Sequence, residues 1–220
     1  MNYQHRFTDS KDCALPIGKA VCVGRNYADH ARELNNPVPS APLLFIKPST
    51  ALVSLEAGFS LPTGKGEVQH ELEMALLIGH TLSDASAREC LQAIVGVGLA
   101  LDLTLREVQQ SLKDKSHPWE ISKAFDGSCP CSEFVEPAQL GDLQNIDLQM
   151  NINGEIRQRG NTRDMLFPIA GLLATMSQHF TLLPGDIVLT GTPAGVGPLR
   201  SGDQLELSLG QSQRFASVVQ

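Results

Sequence analysis

The chain has 220 residues, 42% of them hydrophobic and 19% charged, with a formal net charge of −7. That is enough chain for one large domain or two small ones, with the composition of an ordinary soluble globular protein. The acidic balance and the lack of any Lys/Arg run argue against a nucleic-acid partner, and no apolar stretch approaches the roughly 20 residues that span a bilayer. The first residues, MNYQHRFTDSKD, lack the apolar region of a signal peptide. The five cysteines are Cys13, Cys22, Cys90, Cys129 and Cys131. Their number is odd and no C-x-x-C pair is present, so reduced thiols in a cytoplasmic protein are expected.

In chain order, IGKAVCVGRNY predicts a strand running into a loop near Gly24. NYADHARELN then has a helical pattern with Asn26 as its cap. Pro37, Pro39 and Pro42 break the chain, LLFIKP reads as a short strand, and residues 54–66 read as loop. HELEMALLIG is an apolar strand with two glutamates at its mouth. Ser83 is expected to cap a helix through about Ile94, VGVGLALDLT to be a buried run ending at Asp102, and Thr104 to cap a helix over TLREVQQSLKDK. Residues 116–137 read as irregular. LQMNINGEIRQRG is a hairpin signal built on Asn153-Gly154. MLFPIAGLLATMSQHF is an apolar helix with Pro168 near its first turn, and GDIVLTGTPAGVG is a strand feeding a glycine-rich loop. DQLELSLG and RFASVVQ alternate as closing strands. Strands outnumber helices and no linker divides the chain, which predicts a mixed α+β fold with mostly antiparallel pairing. Residues 17–220 form a single domain in this reading, and residues 1–16 an N-terminal extension.

The chemistry starts from Glu71 and Glu73. A strand has a side-chain period of two, so both carboxylates project from one face while His70 and Leu72 point the other way. Leaving two like charges unpaired in a dry site is costly. With Asp102 as the natural third carboxylate they make a hard oxygen site suited to Mg²⁺, Mn²⁺ or Ca²⁺. A solvent-exposed acidic strand face is the alternative, so the case depends on the neighbouring residues. Arg106 and Gln109 are spaced to share a helix face, where they can hold a carboxylate and a keto oxygen. Lys123 lies in a loop with few other basic residues and could stabilise an oxyanion. His30 and Glu33 share the face of another helix, a pairing that can activate water. The loop LTGTPAGVG offers Thr192 and backbone N–H groups for an anion, but lacks the G-K-[ST] of a phosphate-binding loop.

Taken together, the ordered segments GRNYADH, LLFIKPSTAL, HELEMALLIG, ALDLTLREVQ, PWEISKAFDGSCP and GDIVLTGTPAGVGP resemble the fumarylacetoacetate hydrolase superfamily in its short single-domain form. The resemblance runs from about residue 17 to 210. It implies a mixed β-sandwich roll, a homodimer, and Mg²⁺ or Mn²⁺ held by Glu71, Glu73 and Asp102. It makes His30 and Glu33 a water-activating dyad and Lys123 the oxyanion partner. Arg25, Arg106, Gln109, Gly191 and Thr192 become substrate contacts. Longer members place a further carboxylate just upstream of the histidine, where this chain reads VCVGRNY. The expected activity is metal-dependent hydrolysis of the C–C bond of acylpyruvates, releasing pyruvate. The same site chemistry also supports oxaloacetate decarboxylation, keto–enol tautomerisation or double-bond isomerisation. A metal-binding module without turnover is the reading from another class.

Overall fold

A computed structural model describes residues 3–9 and 13–220. Its strands are β1 (Ala20–Gly24), β2 (Leu43–Lys47), β3 (Leu52–Ser54), β4 (Val68–His70), β5 (Leu72–Ile78), β6 (Ile94–Leu101) and β7 (Thr104–Leu105). They continue with β8 (Cys129–Cys131), β9 (Asp147–Ile152), β10 (Glu155–Asn161), β11 (Ile187–Leu189), β12 (Gly197–Pro198), β13 (Gln204–Leu209) and β14 (Gln213–Val218). The helices are α1 (Ala28–Glu33), α2 (Ala87–Gln92), α3 (Arg106–Asp114), α4 (Glu120–Lys123) and α5 (Ile169–His179). A seven-stranded sheet in the order β2-β1-β11-β5-β6-β8-β3 is joined by a four-stranded sheet, β10-β9-β13-β14, and a three-stranded one, β12-β4-β7. The β1–β11 and β3–β8 pairings are parallel and the other strand pairings antiparallel, giving the expected mixed α+β architecture. No helix among the described residues is long and apolar enough to cross a membrane.

The large sheet is covered on both faces, which is why β5 reads as a continuous apolar run. Alternate residues enter two separate cores. Val21, Val23, Leu72, Met74, Leu76, Leu99 and Leu101 pack toward α5 and the inner face of the four-stranded sheet. Ala20, Cys22, Ala75, Leu77, Ala100, Cys129 and Cys131 form the other core, where the side chains are mostly small. Continuing that alternation toward the end of the sheet puts Glu73, Asp102 and Lys47 on the small-residue face, since Glu73 pairs with Ala100 and Lys47 with Ala20.

Several local expectations change. The residue preceding α1 is Tyr27, and no side chain caps that helix. The Asn26 side chain instead ties three segments together, donating to the carbonyls of Thr190 (2.8 Å) and Phe167 (3.2 Å) and accepting from the Phe167 N–H (2.7 Å). Ser86, not Ser83, caps α2, with Glu89 completing a reciprocal capping box. Thr104 lies in β7, and α3 begins after Leu105 without a side-chain cap. The segment read as irregular contains α4 and β8, so Cys129 and Cys131 are buried strand residues. Pro168 precedes α5, which begins at Ile169. The Asn153-Gly154 hairpin is as expected, with φ of 53° and 82°. Residues 3–9 also pack against the fold: Tyr3 and His5 are buried and Phe7 bridges to Phe134.

Candidate active site

Pairing of β5 with β6 sets Glu73 beside Ala100, and the Asp102 N–H donates to the Glu71 carbonyl at 2.9 Å. Glu71 falls in the break between β4 and β5, and its flanks are pinned by the buried Gln158 amide. The Gln158 Oε1 accepts from the Leu72 N–H (2.8 Å) and lies 2.9 Å from His70 Nδ1, while its Nε2 donates to Thr192 Oγ1 and the Pro193 carbonyl, both at 2.8 Å. One oxygen from each of Glu71, Glu73 and Asp102 then lies within 4.8 Å of the others, with all three residues buried.

Three cations surround this cluster. Lys123 Nζ donates to Glu71 Oε2 at 2.9 Å and to Asp102 Oδ2 at 2.6 Å. Arg106 donates to Glu71 Oε1, to Gln69 Oε1 at 2.7 Å and to Gln109 Oε1 at 2.7 Å. Lys47, fully buried, stands 2.8 Å from Asp102 Oδ1 and donates to Ser128 and to the Lys123 carbonyl. Burial would push Glu71 upward, but Lys123 and then Arg106 outweigh it and hold the carboxyl well below its ordinary range. Burial would likewise lower Lys123, and the Asp102 and Glu71 carboxylates instead raise it. Glu73 has the opposite fate. Burial, then the charges of Asp102 and Glu71, push it well above the ordinary carboxylate value, and the partner it has is the Gly191 N–H at 2.5 Å. Asp102 Oδ1 makes an ion contact without a hydrogen bond, leaving a buried lone pair free. An uncompensated carboxylate beside a free carboxylate oxygen is what a hard divalent cation would satisfy, so the residues fit one.

The other sequence-selected residues converge here. Arg25, His30, Arg106, Gln109, Lys123 and Thr192 line one cavity of about 30 Å³ together with Glu71 and Glu73. His30 is buried on α1 with Nδ1 3.4 Å from Glu33 Oε2. Burial lowers its pKa from 6.5, against the opposing pull of Glu71 and Glu33. Its Nε2 makes no hydrogen bond among the described residues, so that nitrogen is the one available to a ligand. The glycine-rich loop differs from expectation: its N–H groups serve protein carboxylates. Gly191 holds Glu73, and Gly195 donates to both Glu33 oxygens at 3.0 and 3.2 Å. Gly191 has φ +96°, and a Cβ there would lie 2.5 Å from Asn26 Cβ, so backbone and space both require glycine.

Lys47 and Gln158 are the residues that sequence reading missed. Lys47 ends an apolar strand in register with Ala20, a signal readable only once the β1–β2 pairing is known. Gln158 follows a bulge between Ile156 and Gln158 that turns an apolar residue out and the amide in.

Comparison with known proteins agrees with this geometry. Residues 19–220 match the family model for the fumarylacetoacetate (FAA) hydrolase C-terminal region. The chain is 51% identical to the oxaloacetate tautomerase YcgM of Escherichia coli (strain K12) over 94% of each chain. It is 39% identical to a mitochondrial oxaloacetate decarboxylase of Dictyostelium discoideum, over 87% of this chain and 88% of the other. A crystal structure of fumarylpyruvate hydrolase from Pseudomonas aeruginosa, in complex with Mn²⁺ and pyruvate, superposes with a TM-score of 0.90 at 30% identity, covering 99% of this chain and 95% of that one. With its fold, its buried carboxylate cluster and a family match over almost its whole length, the chain belongs to the fumarylacetoacetate hydrolase family.

Proposed function

We propose that the chain is an oxaloacetate tautomerase, interconverting the enol and keto forms of the acid. The observation that carries this reading is the 51% identity with an oxaloacetate tautomerase across 94% of both chains. It displaces acylpyruvate hydrolysis as the leading activity, because the fumarylpyruvate hydrolase likeness is more distant, at 30% identity.

In the ketonising direction C3 gains a proton and the hydroxyl on C2 loses one; no bond between heavy atoms breaks. Mg²⁺ or Mn²⁺ held by Glu71, Glu73 and Asp102 would supply Lewis-acid stabilisation of negative charge on that oxygen. Lys123 is held charged by Asp102 and Glu71 and adds a fixed positive charge in the same dry site. Arg106 and Gln109, already locked to each other at 2.7 Å, orient the substrate carboxylate. His30 moves the proton: burial favours its neutral form, Glu33 fixes Nδ1, and Nε2 exchanges the proton with substrate. The cavity of about 30 Å³ holds little more than one water, so a four-carbon acid enters when the wall formed by α1 and the residues to Asn36 moves outward, beyond the anchored Asn26.

The test follows the loss of enol absorbance from oxaloacetate, using EDTA-stripped protein with and without added Mn²⁺, with pyruvate assayed in parallel. Metal-dependent acceleration over the spontaneous rate, without matching pyruvate, is expected. No acceleration would sink the reading. Pyruvate release keeping pace with enol loss would turn it to decarboxylation, the activity named for the Dictyostelium relative. A second reading, acylpyruvate hydrolysis, draws support from the His30–Glu33 pair, which could deprotonate a water. It gains only if acetylpyruvate releases pyruvate faster than oxaloacetate tautomerises.

A further inference from the structure

The carboxylate cluster accounts for Lys47, Lys123 and Arg106, each in contact with Asp102 or Glu71. Two further cations line the same cavity and are not accounted for. Lys113, on α3, and Arg25, at the turn between β1 and α1, are half-buried, and neither meets a carboxylate or a hydrogen-bond acceptor among the described residues. Their stems are covered while their charged heads reach the cavity without an ion-pair partner, which leaves both charges free to meet an anion there.

Both are also held in place. Lys113 Nζ lies 5.8 Å from the ring centroid of Trp119, whose indole lines the cavity beside it. Arg25 takes φ +60°, a conformation that a non-glycine residue keeps only where its surroundings enforce it. The neighbouring Asn26 does so, through its three hydrogen bonds to Thr190 and Phe167. Burial, and then the nearby Arg25 and Arg106 guanidinia, push the Lys113 ammonium below its ordinary pKa, a strain that an arriving anion would relieve.

From this geometry we infer that Lys113 and Arg25 form the pocket for the distal carboxylate of the substrate, making the site selective for 2-keto acids with a second carboxylate. The inference rests on the tautomerase reading and deepens it. The acid and keto end of the substrate meets Arg106, Gln109 and Lys123, and the far carboxylate meets Lys113 and Arg25. A monoanionic acylpyruvate would leave those two cations unpaired, which costs it affinity.

The test compares oxaloacetate with its 4-methyl ester, which keeps the carbon skeleton and caps the distal charge. Mn²⁺-loaded wild type should prefer the dianion in kcat/KM by roughly 10- to 100-fold, the range for a charged hydrogen-bonded contact. In Lys113→Met and Arg25→Gln that ratio should collapse toward one, mainly through KM for oxaloacetate, while Lys113→Arg should keep most of it. Loss of rate with both substrates at an unchanged ratio would show a merely structural role and overturn the inference. So would a wild type that treats the two substrates alike. If wild type turns over neither enol, the tautomerase reading fails, and thermal shifts of the Mn²⁺-loaded protein decide the pocket. A larger shift with oxaloacetate than with the ester, lost in Lys113→Met, supports it; equal shifts overturn it.

Discussion

Replacing Lys47 with methionine removes a buried ammonium while keeping an unbranched side chain. Lys47 is fully buried, 2.8 Å from Asp102 Oδ1, and donates to the carbonyl and hydroxyl oxygens of Ser128 at 3.1 Å each and to the Lys123 carbonyl. Removing one partner of a buried ion pair costs about 3–5 kcal/mol, because the remaining charge is left uncompensated. Each carbonyl stripped of its donor adds about 1–3 kcal/mol, and protonation of Asp102 with local repacking offsets part of the sum. A net loss of about 4 kcal/mol lowers the melting temperature of a chain this size by roughly 8–16 °C. The melt is run in EDTA, so that no ion stands in for the lysine. Asp102→Asn breaks the same pair from the other side, so the double variant should be more stable than the sum of the single losses predicts, by about 2 kcal/mol. Additivity within about 0.5 kcal/mol would refute the assignment of Lys47 as the counter-charge of Asp102.

Asn26→Ala leaves the Thr190 and Phe167 carbonyls and the Phe167 N–H without their partner. A loss of about 2–4 kcal/mol in urea denaturation is expected, and a loss below about 1 kcal/mol would contradict it. Gly191→Ala places a Cβ 2.5 Å from Asn26 and disturbs the N–H that holds Glu73. It should cost about 1–3 kcal/mol of stability and weaken Mn²⁺ binding in calorimetry; unchanged affinity would show that Glu73 needs no such anchor. For Glu33→Gln the pH profile carries the test. Burial lowers the His30 pKa and the Glu33 hydrogen bond opposes that, so removing the carboxylate lowers it further. The acid limb of the rate profile should therefore move to lower pH, and movement to higher pH would reject the pairing.

The elements that the sequence predicts well are those whose local signal agrees with their tertiary role. The Asn153-Gly154 hairpin and the apolar β5 are found as read, because turn chemistry and double-sided burial dominate there. The carboxylates of Glu71 and Glu73 stood out because charge at the mouth of an apolar strand is costly without a purpose. Asn26, Ser83 and Thr104 each fail as caps because another role claims the residue or the position: Thr104 is taken into β7, opposite Gln69. Asn26 is claimed by backbone groups 141 and 164 residues away, and Ser86 wins over Ser83 because Glu89 completes its box. Lys47 and Gln158 were invisible for a related reason. One depends on strand register and the other on a bulge, and neither is written in local periodicity. The loop N–H groups do form an anion site, but the anions they bind are the protein's own Glu73 and Glu33.

Tautomerisation of oxaloacetate in this site requires proton transfer at C3. The most direct measurement runs the reaction in D₂O with Mn²⁺-loaded protein, traps the keto acid quickly as malate, and reads deuterium at C3 by NMR. Deuterium is expected on one face of C3, metal-dependent and lost in His30→Ala. Equal labelling of both faces at the spontaneous rate would contradict it, as would deuterium appearing only in the methyl group of pyruvate.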